Sequence, residues 1–104
     1  MASKEYSVFI EPSADERLAS HIEFLARVNN DAAVKLFLEF EDALGILRDY
    51  PEICPLYMHN MPVDAILRYK LFGKRYRIVF EIVDNAVFVY DIQDCLQDTD
   101  KNLV

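Results

Sequence analysis

The stretch LRYKLFGKRYRIVFEIV, Leu67 to Val83, decides the fold of this chain of 104 residues. Residues that suit a half-buried strand alternate with cationic residues on both sides of Gly73-Lys74, a pair typical of a tight turn. Successive side chains of a strand point to opposite faces, so the pattern predicts a β-hairpin with strands Ile66–Phe72 and Arg75–Val83.

The flanking sequence predicts two more strands and one irregular connection. Asp84-Asn85 is a two-residue turn, and the strand Ala86–Gln93 after it extends the hairpin to a β-meander. Near the N-terminus, Tyr6–Ile10 is short and rich in β-formers, which indicates a first strand. Residues 51–64 hold three of the four prolines and predict an irregular connection.

Two amphipathic helices are predicted between the first strand and this connection. Helix 1, residues 13–28, starts at Ser13-Ala14-Asp15-Glu16, which has the form of a capping box. Helix 2, residues 31–50, follows an N-cap within Asn29-Asn30-Asp31. The order β-α-α-β-β-β predicts an α+β protein of one domain, residues 1–104. Its antiparallel sheet is packed by a helical hairpin, and the first strand joins the meander as a fourth strand.

Side-chain alternation also predicts the buried face of the sheet. In the second meander strand, every second residue from Tyr76 to Ile82 is apolar and is assigned to the core. In the first meander strand, Leu67, Tyr69 and Leu71 are assigned to the same face. The residues expected to be mostly buried are Phe37, Phe40, Leu44, Ile78 and Phe80. With this assignment, four cations converge on the opposite face: Arg68, Lys70, Arg75 and Arg77.

The cationic segment contrasts with the rest of the chain. Net charge is −7, whereas residues 66–80 carry five basic and no acidic side chains. A net negative charge disfavours general nucleic-acid binding, because its field repels phosphate. We therefore interpret the basic residues as a local anion or partner patch. A plain solvated sheet face is the alternative. The members of the patch are Arg68, Lys70, Lys74, Arg75 and Arg77.

The remaining features of the sequence give few further candidates for a catalytic or binding site. The sequence has no apolar run long enough to span a membrane or to act as a signal peptide, so we expect a cytoplasmic protein. Cys54 and Cys95 form no metal-binding pattern and are expected to be free thiols. His21 is expected at the surface or its boundary, and His59 precedes the basic strands, where proton transfer is a minor alternative. No cofactor or metal is expected, and the sequence does not indicate an oligomeric state.

Several short motifs resemble the RelE/ParE superfamily of toxins, the toxin halves of bacterial type II toxin–antitoxin pairs. They are Tyr-x-Val-x-Ile followed by Pro-Ser-Ala, the Tyr-Pro-Glu-Ile that ends the second helix, and Lys70-Leu71-Phe72-Gly73-Lys74-Arg75-Tyr76-Arg77-Ile78-Val79-Phe80-Glu81-Ile82-Val83-Asp84. Their order over residues 6 to about 95 carries the resemblance.

The resemblance implies a toxin that a cognate antitoxin neutralises, and it leaves the target open. RelE-like members cut mRNA on the ribosome, whereas ParE-like members poison DNA gyrase. By motif, the catalytic cations of the RNases fall on Arg68, Lys70 and Arg77. The superfamily also leaves room for a non-toxic member that retains only antitoxin binding.

The end of the chain departs from the RNase pattern. RNase members place another arginine, then a tyrosine or histidine, after the last strand, where this chain reads Asp94-Cys95-Leu96-Gln97-Asp98. An anionic segment cannot clamp phosphate, so we expect slow or absent mRNA cleavage.

Overall fold

The computed structural model describes residues 5–58 and 64–96. Its elements follow the predicted order β-α-α-β-β-β, with one 3₁₀ turn after the second helix. The bounds are β1 Ser7–Ile10, α1 Pro12–Val28, α2 Asn30–Asp49, the 3₁₀ turn Pro51–Ile53, β2 Leu67–Phe72, β3 Tyr76–Val83 and β4 Ala86–Asp94. Within the described ranges, no helix is long and apolar enough to cross a membrane.

The four strands form one sheet in the order β1-β4-β3-β2. β2, β3 and β4 are antiparallel neighbours, which confirms the predicted meander, and β1 joins it as the fourth strand. However, β1 runs parallel to β4, with Ser7 opposite Ala86 and Ile10 opposite Val89. The sheet is therefore mixed and not purely antiparallel. Residue alternation is the same for both strand directions, so the sequence could not distinguish them.

The first residues of each helix determine where that helix begins. α1 begins with Pro12 at its first position, where the fixed φ of proline suits a helix and its missing N–H costs nothing. Ser13 therefore lies inside the helix, and the expected capping box with Glu16 does not form. Asn29 caps α2 as expected, because its side chain accepts a hydrogen bond from the Ala32 amide at 3.1 Å.

The core lies between the helical hairpin and one face of the sheet. Phe40, Ile78 and Phe80 are buried as predicted, and Leu44 is partly buried. The prediction for Phe37 is wrong, since 44% of this residue is exposed. The buried line of α2 passes instead through Ala33, Leu36, Phe40, Ala43 and Leu47.

The turn between β2 and β3 is pinned against α2. Gly73 has φ +58°, a left-handed conformation that L side chains rarely adopt. A Cβ atom at this position would lie 2.6 Å from Cδ1 of Leu36. Glycine is therefore required both by the backbone conformation and by the close approach of the helix.

Candidate functional site

The predicted basic patch is divided between the two faces of the sheet. In the β2–β3 register, Arg68 lies opposite Phe80 and Lys70 lies opposite Ile78, so both belong to the helix-facing side. Arg77 lies opposite Leu71 and belongs to the open face, the side of the sheet away from the helices. The predicted convergence of these cations on one face is therefore wrong.

The physical reason is the position of β2 at the edge of the sheet. Phe72 is the β2 residue that enters the core, where it packs against Phe40 and Tyr76. This places the even-numbered residues of β2 on the helix side. Long cationic side chains are tolerated there, because from an edge strand their charged ends can reach water.

Arg68 serves the packing of the connection that follows α2. Its Nη1 donates hydrogen bonds to the carbonyl oxygens of Glu52, at 3.2 Å, and Cys54, at 2.7 Å. Leu56 also forms an isolated antiparallel bridge with Arg68. The side chain therefore holds the 3₁₀ turn and the residues after it against β2.

Arg75 and Lys74 belong to the turn between β2 and β3. Arg75 donates from Nε and Nη2 to the two carboxylate oxygens of Asp94, at 3.1 and 2.5 Å, and this hydrogen bonding raises the pKa of Arg75. Lys74 lies in the same turn. It is exposed, and its backbone φ is 70°. Arg75 is thus committed to a pair at the end of the sheet, whereas Lys74 faces solvent.

Lys70 lies between acidic and apolar surroundings. It lines a cavity of about 250 Å³ with Glu39 and Asp42 of α2. It also borders a groove of about 290 Å³ whose walls include Ile53 and Leu71. Its charge therefore faces the acidic helix rather than the open sheet face.

Arg77 is the centre of a polar and aromatic group on the open face. Its Nε donates to Oε1 of Gln93 at 2.6 Å. Its guanidinium carbon lies 4.9 Å from the ring centre of Tyr57 and 5.9 Å from that of Tyr69, distances at which a cation is attracted to an aromatic ring. We call Tyr57, Tyr69, Arg77 and Gln93 the Arg77 cluster.

Gln93 connects this cluster to the rest of the sheet. It is 8% exposed, and its Nε2 donates to the Tyr57 hydroxyl and to Oδ2 of Asp91, both at 3.2 Å. Asp91 in turn lies 3.5 Å from Nη1 of Arg17 on α1. A chain of polar contacts therefore runs from the connection after α2, across the open face, to the first helix.

The sequence pointed to Arg77 but not to its neighbours Tyr57 and Gln93. Tyr57 lies in the irregular connection, and it meets Gln93 across 36 positions of sequence. Strict alternation from the buried Val87 and Val89 would place Gln93 on the core side of β4. The register shift between Val79 and Phe80 of β3 instead puts Gln93 opposite Arg77 on the open face, and no signal in the sequence indicates this shift. Nothing local to Tyr57 indicates that its ring packs on an arginine.

The outer edge of β2 is only partly covered. Tyr57 donates its amide to the Leu67 carbonyl at 2.7 Å, and Tyr69 donates its amide to the Pro55 carbonyl at 3.0 Å. Leu71 continues the same alternation, so its backbone groups point to this edge, where the described residues provide no partner strand. The Leu71 side chain is exposed.

The remaining candidates have structural surroundings. Cys54 and Cys95 are thiols that form no disulfide, as predicted, and burial raises the pKa of Cys54. His21 lies at the surface boundary as predicted, with Nε2 3.1 Å from the Ile92 carbonyl oxygen. His59 lies outside the described residues. Within those residues, no group of three or more histidine, cysteine or acidic side chains could hold a metal.

The model of the family described as "ParE toxin of type II toxin-antitoxin system, parDE" matches residues 8–98, from β1 to past the end of β4. The chain belongs to this ParE toxin family. It is the toxin component of a type II toxin–antitoxin system, as the sequence motifs implied, and its partner is a cognate antitoxin.

A solved structure shares the fold of this ParE-family toxin. It is described as the "Chromosomal ParDE TA system from P. aeruginosa", and the TM-score is 0.68 at 12% sequence identity. The similarity covers 88% of this chain and 98% of that one. At this identity the likeness concerns the fold alone. No curated protein sequence matches the chain.

Proposed function

We propose that this ParE-family toxin acts by binding a protein target and does not cleave mRNA. Among the targets that the superfamily resemblance implies, DNA gyrase fits this mode of action. The observation that carries the proposal is the placement of Arg68 and Arg77 on opposite faces of the sheet.

The chemistry of RNA cleavage explains why this placement matters. Attack by a 2′-hydroxyl needs a base, an acid and cations that act together on one phosphate. In this chain Arg68 already donates to two backbone carbonyls, and Lys70 faces acidic residues of α2. Arg77 is left without a second cation on its face of β2 and β3. An arginine alone is also a poor proton carrier, because its pKa exceeds about 12.

Two assays of purified toxin test this proposal. We expect the toxin to inhibit supercoiling by DNA gyrase and to leave a translated mRNA intact in a reconstituted translation system. Rapid mRNA cleavage that both Arg68→Ala and Arg77→Ala abolish would reverse the assignment. A protein that is inactive in both assays yet binds its antitoxin would be the non-toxic family member.

We infer further that the antitoxin covers the outer edge of β2 and the segment 66–80. This segment carries five basic and no acidic side chains, and an apolar groove with exposed Ile53 and Leu71 lies beside it. Opposite potentials speed encounter and set the register of a complex. The acidic residues of α2, which include Glu39, Glu41 and Asp42, disfavour an acidic segment over the helices.

Hydrogen exchange of the complex tests this docking position. The antitoxin is taken as the product of the open reading frame adjacent to the toxin gene. When it is bound, we expect exchange to slow at Leu67–Arg77, and most clearly at Leu71, whose amide points to the uncovered edge. Slowing that is confined to the outer faces of α1 and α2 would place the antitoxin elsewhere.

A further inference from the structure

We infer that Arg77 is a preorganised receptor for one carboxylate of the antitoxin, the side chain of an aspartate or glutamate in the segment that covers β2. This assignment rests on the docking position proposed above. It does not depend on whether the toxin acts on gyrase.

The first argument is the fixed position of the Arg77 guanidinium. Its Nε is held by Oε1 of Gln93 at 2.6 Å, and its central carbon lies over the rings of Tyr57 and Tyr69, 4.9 and 5.9 Å from their centres. Gln93 is itself held by Tyr57 and Asp91. Because the side chain is already ordered, binding a ligand loses little further conformational freedom.

The second argument is the unused binding capacity of this side chain. Among residues 5–58 and 64–96, the hydrogen bond of Nε to Gln93 is the one that the Arg77 side chain makes, and no carboxylate lies within ion-pair distance of it. Both terminal nitrogens therefore remain available, and the residue is only partly buried. The planar fork of an arginine matches the two oxygens of a carboxylate, with a bidentate pair of hydrogen bonds.

The third argument distinguishes a carboxylate from a nucleic-acid backbone. Asp91 and Glu81 share the open face with Arg77 and would repel a run of phosphates. Arg75 is already paired with Asp94, and Arg68 is bound to carbonyl groups. A single carboxylate needs only one free guanidinium. Arginine flanked by tyrosines is also the composition in which binding energy concentrates at protein interfaces.

The test is a double-mutant cycle measured by titration calorimetry. The probe is the antitoxin from the adjacent open reading frame, with each acidic residue of its C-terminal half replaced singly by the corresponding amide. Hydrogen bonds to charged groups contribute about 1.5–3 kcal/mol, so Arg77→Ala should weaken the complex by roughly 10- to 150-fold. One acidic replacement should weaken the wild-type complex to a similar extent and have little effect on the Arg77→Ala complex.

The matched control is Lys35→Ala, which removes one positive charge from an exposed position of α2, outside the segment 66–80. We expect it to change the affinity by about twofold or less, since an exposed charge contributes little. Arg77→Lys keeps the charge and loses the fork, so it should show most of the loss seen for Arg77→Ala. It also provides a second reading if Arg77→Ala does not fold, as judged by circular dichroism.

Distinct results separate the failure of this inference from the failure of the docking proposal. If exchange slows at Leu67–Arg77 but no acidic replacement couples to Arg77, the docking position stands and the carboxylate receptor is wrong. If the antitoxin does not bind or protects other residues, both are wrong. If a single-stranded RNA oligonucleotide binds, loses affinity with Arg77→Ala and shows a salt slope of about −0.7 per phosphate, Arg77 is an RNA contact instead.

Discussion

Asp94 is buried, at 2% exposed, and it accepts two hydrogen bonds from the partly exposed guanidinium of Arg75, at 3.1 and 2.5 Å. The pair joins the start of β3 to the end of β4, where Tyr76 lies opposite Asp94. It also uses one of the five cations of the basic segment for structure rather than for binding.

The two halves of this pair should respond differently to mutation. Arg75→Ala removes two charge-assisted hydrogen bonds from a buried carboxylate that still accepts from the Leu96 amide, so we expect a loss of about 3–5 kcal/mol in the free energy of unfolding. In Asp94→Asn the Arg75 side chain remains and can be hydrated by solvent, so we expect the free energy of unfolding to fall by about 1–3 kcal/mol. Chemical denaturation of both variants measures the difference. An equal or reversed order would mean that the burial of Asp94 does not govern the energetics.

Phe80→Ala tests the placement of the core. Phe80 is fully buried between the sheet and the helices, and we expect its truncation to cost about 3–5 kcal/mol. Phe37→Ala is the matched control. Because Phe37 is partly solvated, we expect its truncation to lower the free energy of unfolding by about 1 kcal/mol or less. The two urea midpoints give the comparison. If Phe37→Ala were the more damaging change, the helix would be rotated relative to the one described.

The two glycines provide a pair of substitutions with opposite expected signs. In Gly73→Ala the new residue must adopt a positive φ, and its Cβ would clash with the Leu36 side chain. We therefore expect the free energy of unfolding to fall by about 1–3 kcal/mol. Gly45 lies inside α2, and among the residues that the structure describes its added Cβ would approach Nη2 of Arg48 alone, at 3.6 Å. Gly45→Ala should therefore stabilise the protein by about 0.5–1 kcal/mol. Thermal unfolding of the two variants should shift in opposite directions.

Tyr90 should titrate abnormally. Its hydroxyl donates to Oε1 of Glu81 at 2.7 Å, and this hydrogen bond raises the pKa of Tyr90 to about 12. Because the folded state favours the protonated phenol, the contribution to stability is present below about pH 10 and is lost as the pH rises towards 12. The chain has six tyrosines, so the difference between the ultraviolet titrations of the protein and of Tyr90→Phe gives the midpoint of Tyr90. Glu81→Gln should lower the pKa of Tyr90, and an unchanged value would assign the shift to burial alone.

Several features of this toxin could be predicted from sequence because they depend on neighbouring residues. The helix bounds, the turn at Gly73 and the burial of Ile78 and Phe80 follow from periodicity and from turn chemistry, which act over a few positions. The resemblance to known toxins was likewise carried by motifs of short range, and the family match confirms it. Arg77 was identified as a candidate in the same way.

Only the tertiary structure decided which surface each candidate occupies. In β2 both alternating sets contain residues that could be buried, and the sheet edge allows Arg68 and Lys70 to take the helix side because Phe72 fills the core. The parallel direction of β1 and the contact of Tyr57 with Gln93 depend on segments far apart in the chain. Periodicity specifies that a strand has two faces. The packing of distant elements specifies which face is covered, and it therefore determines which cations can act together.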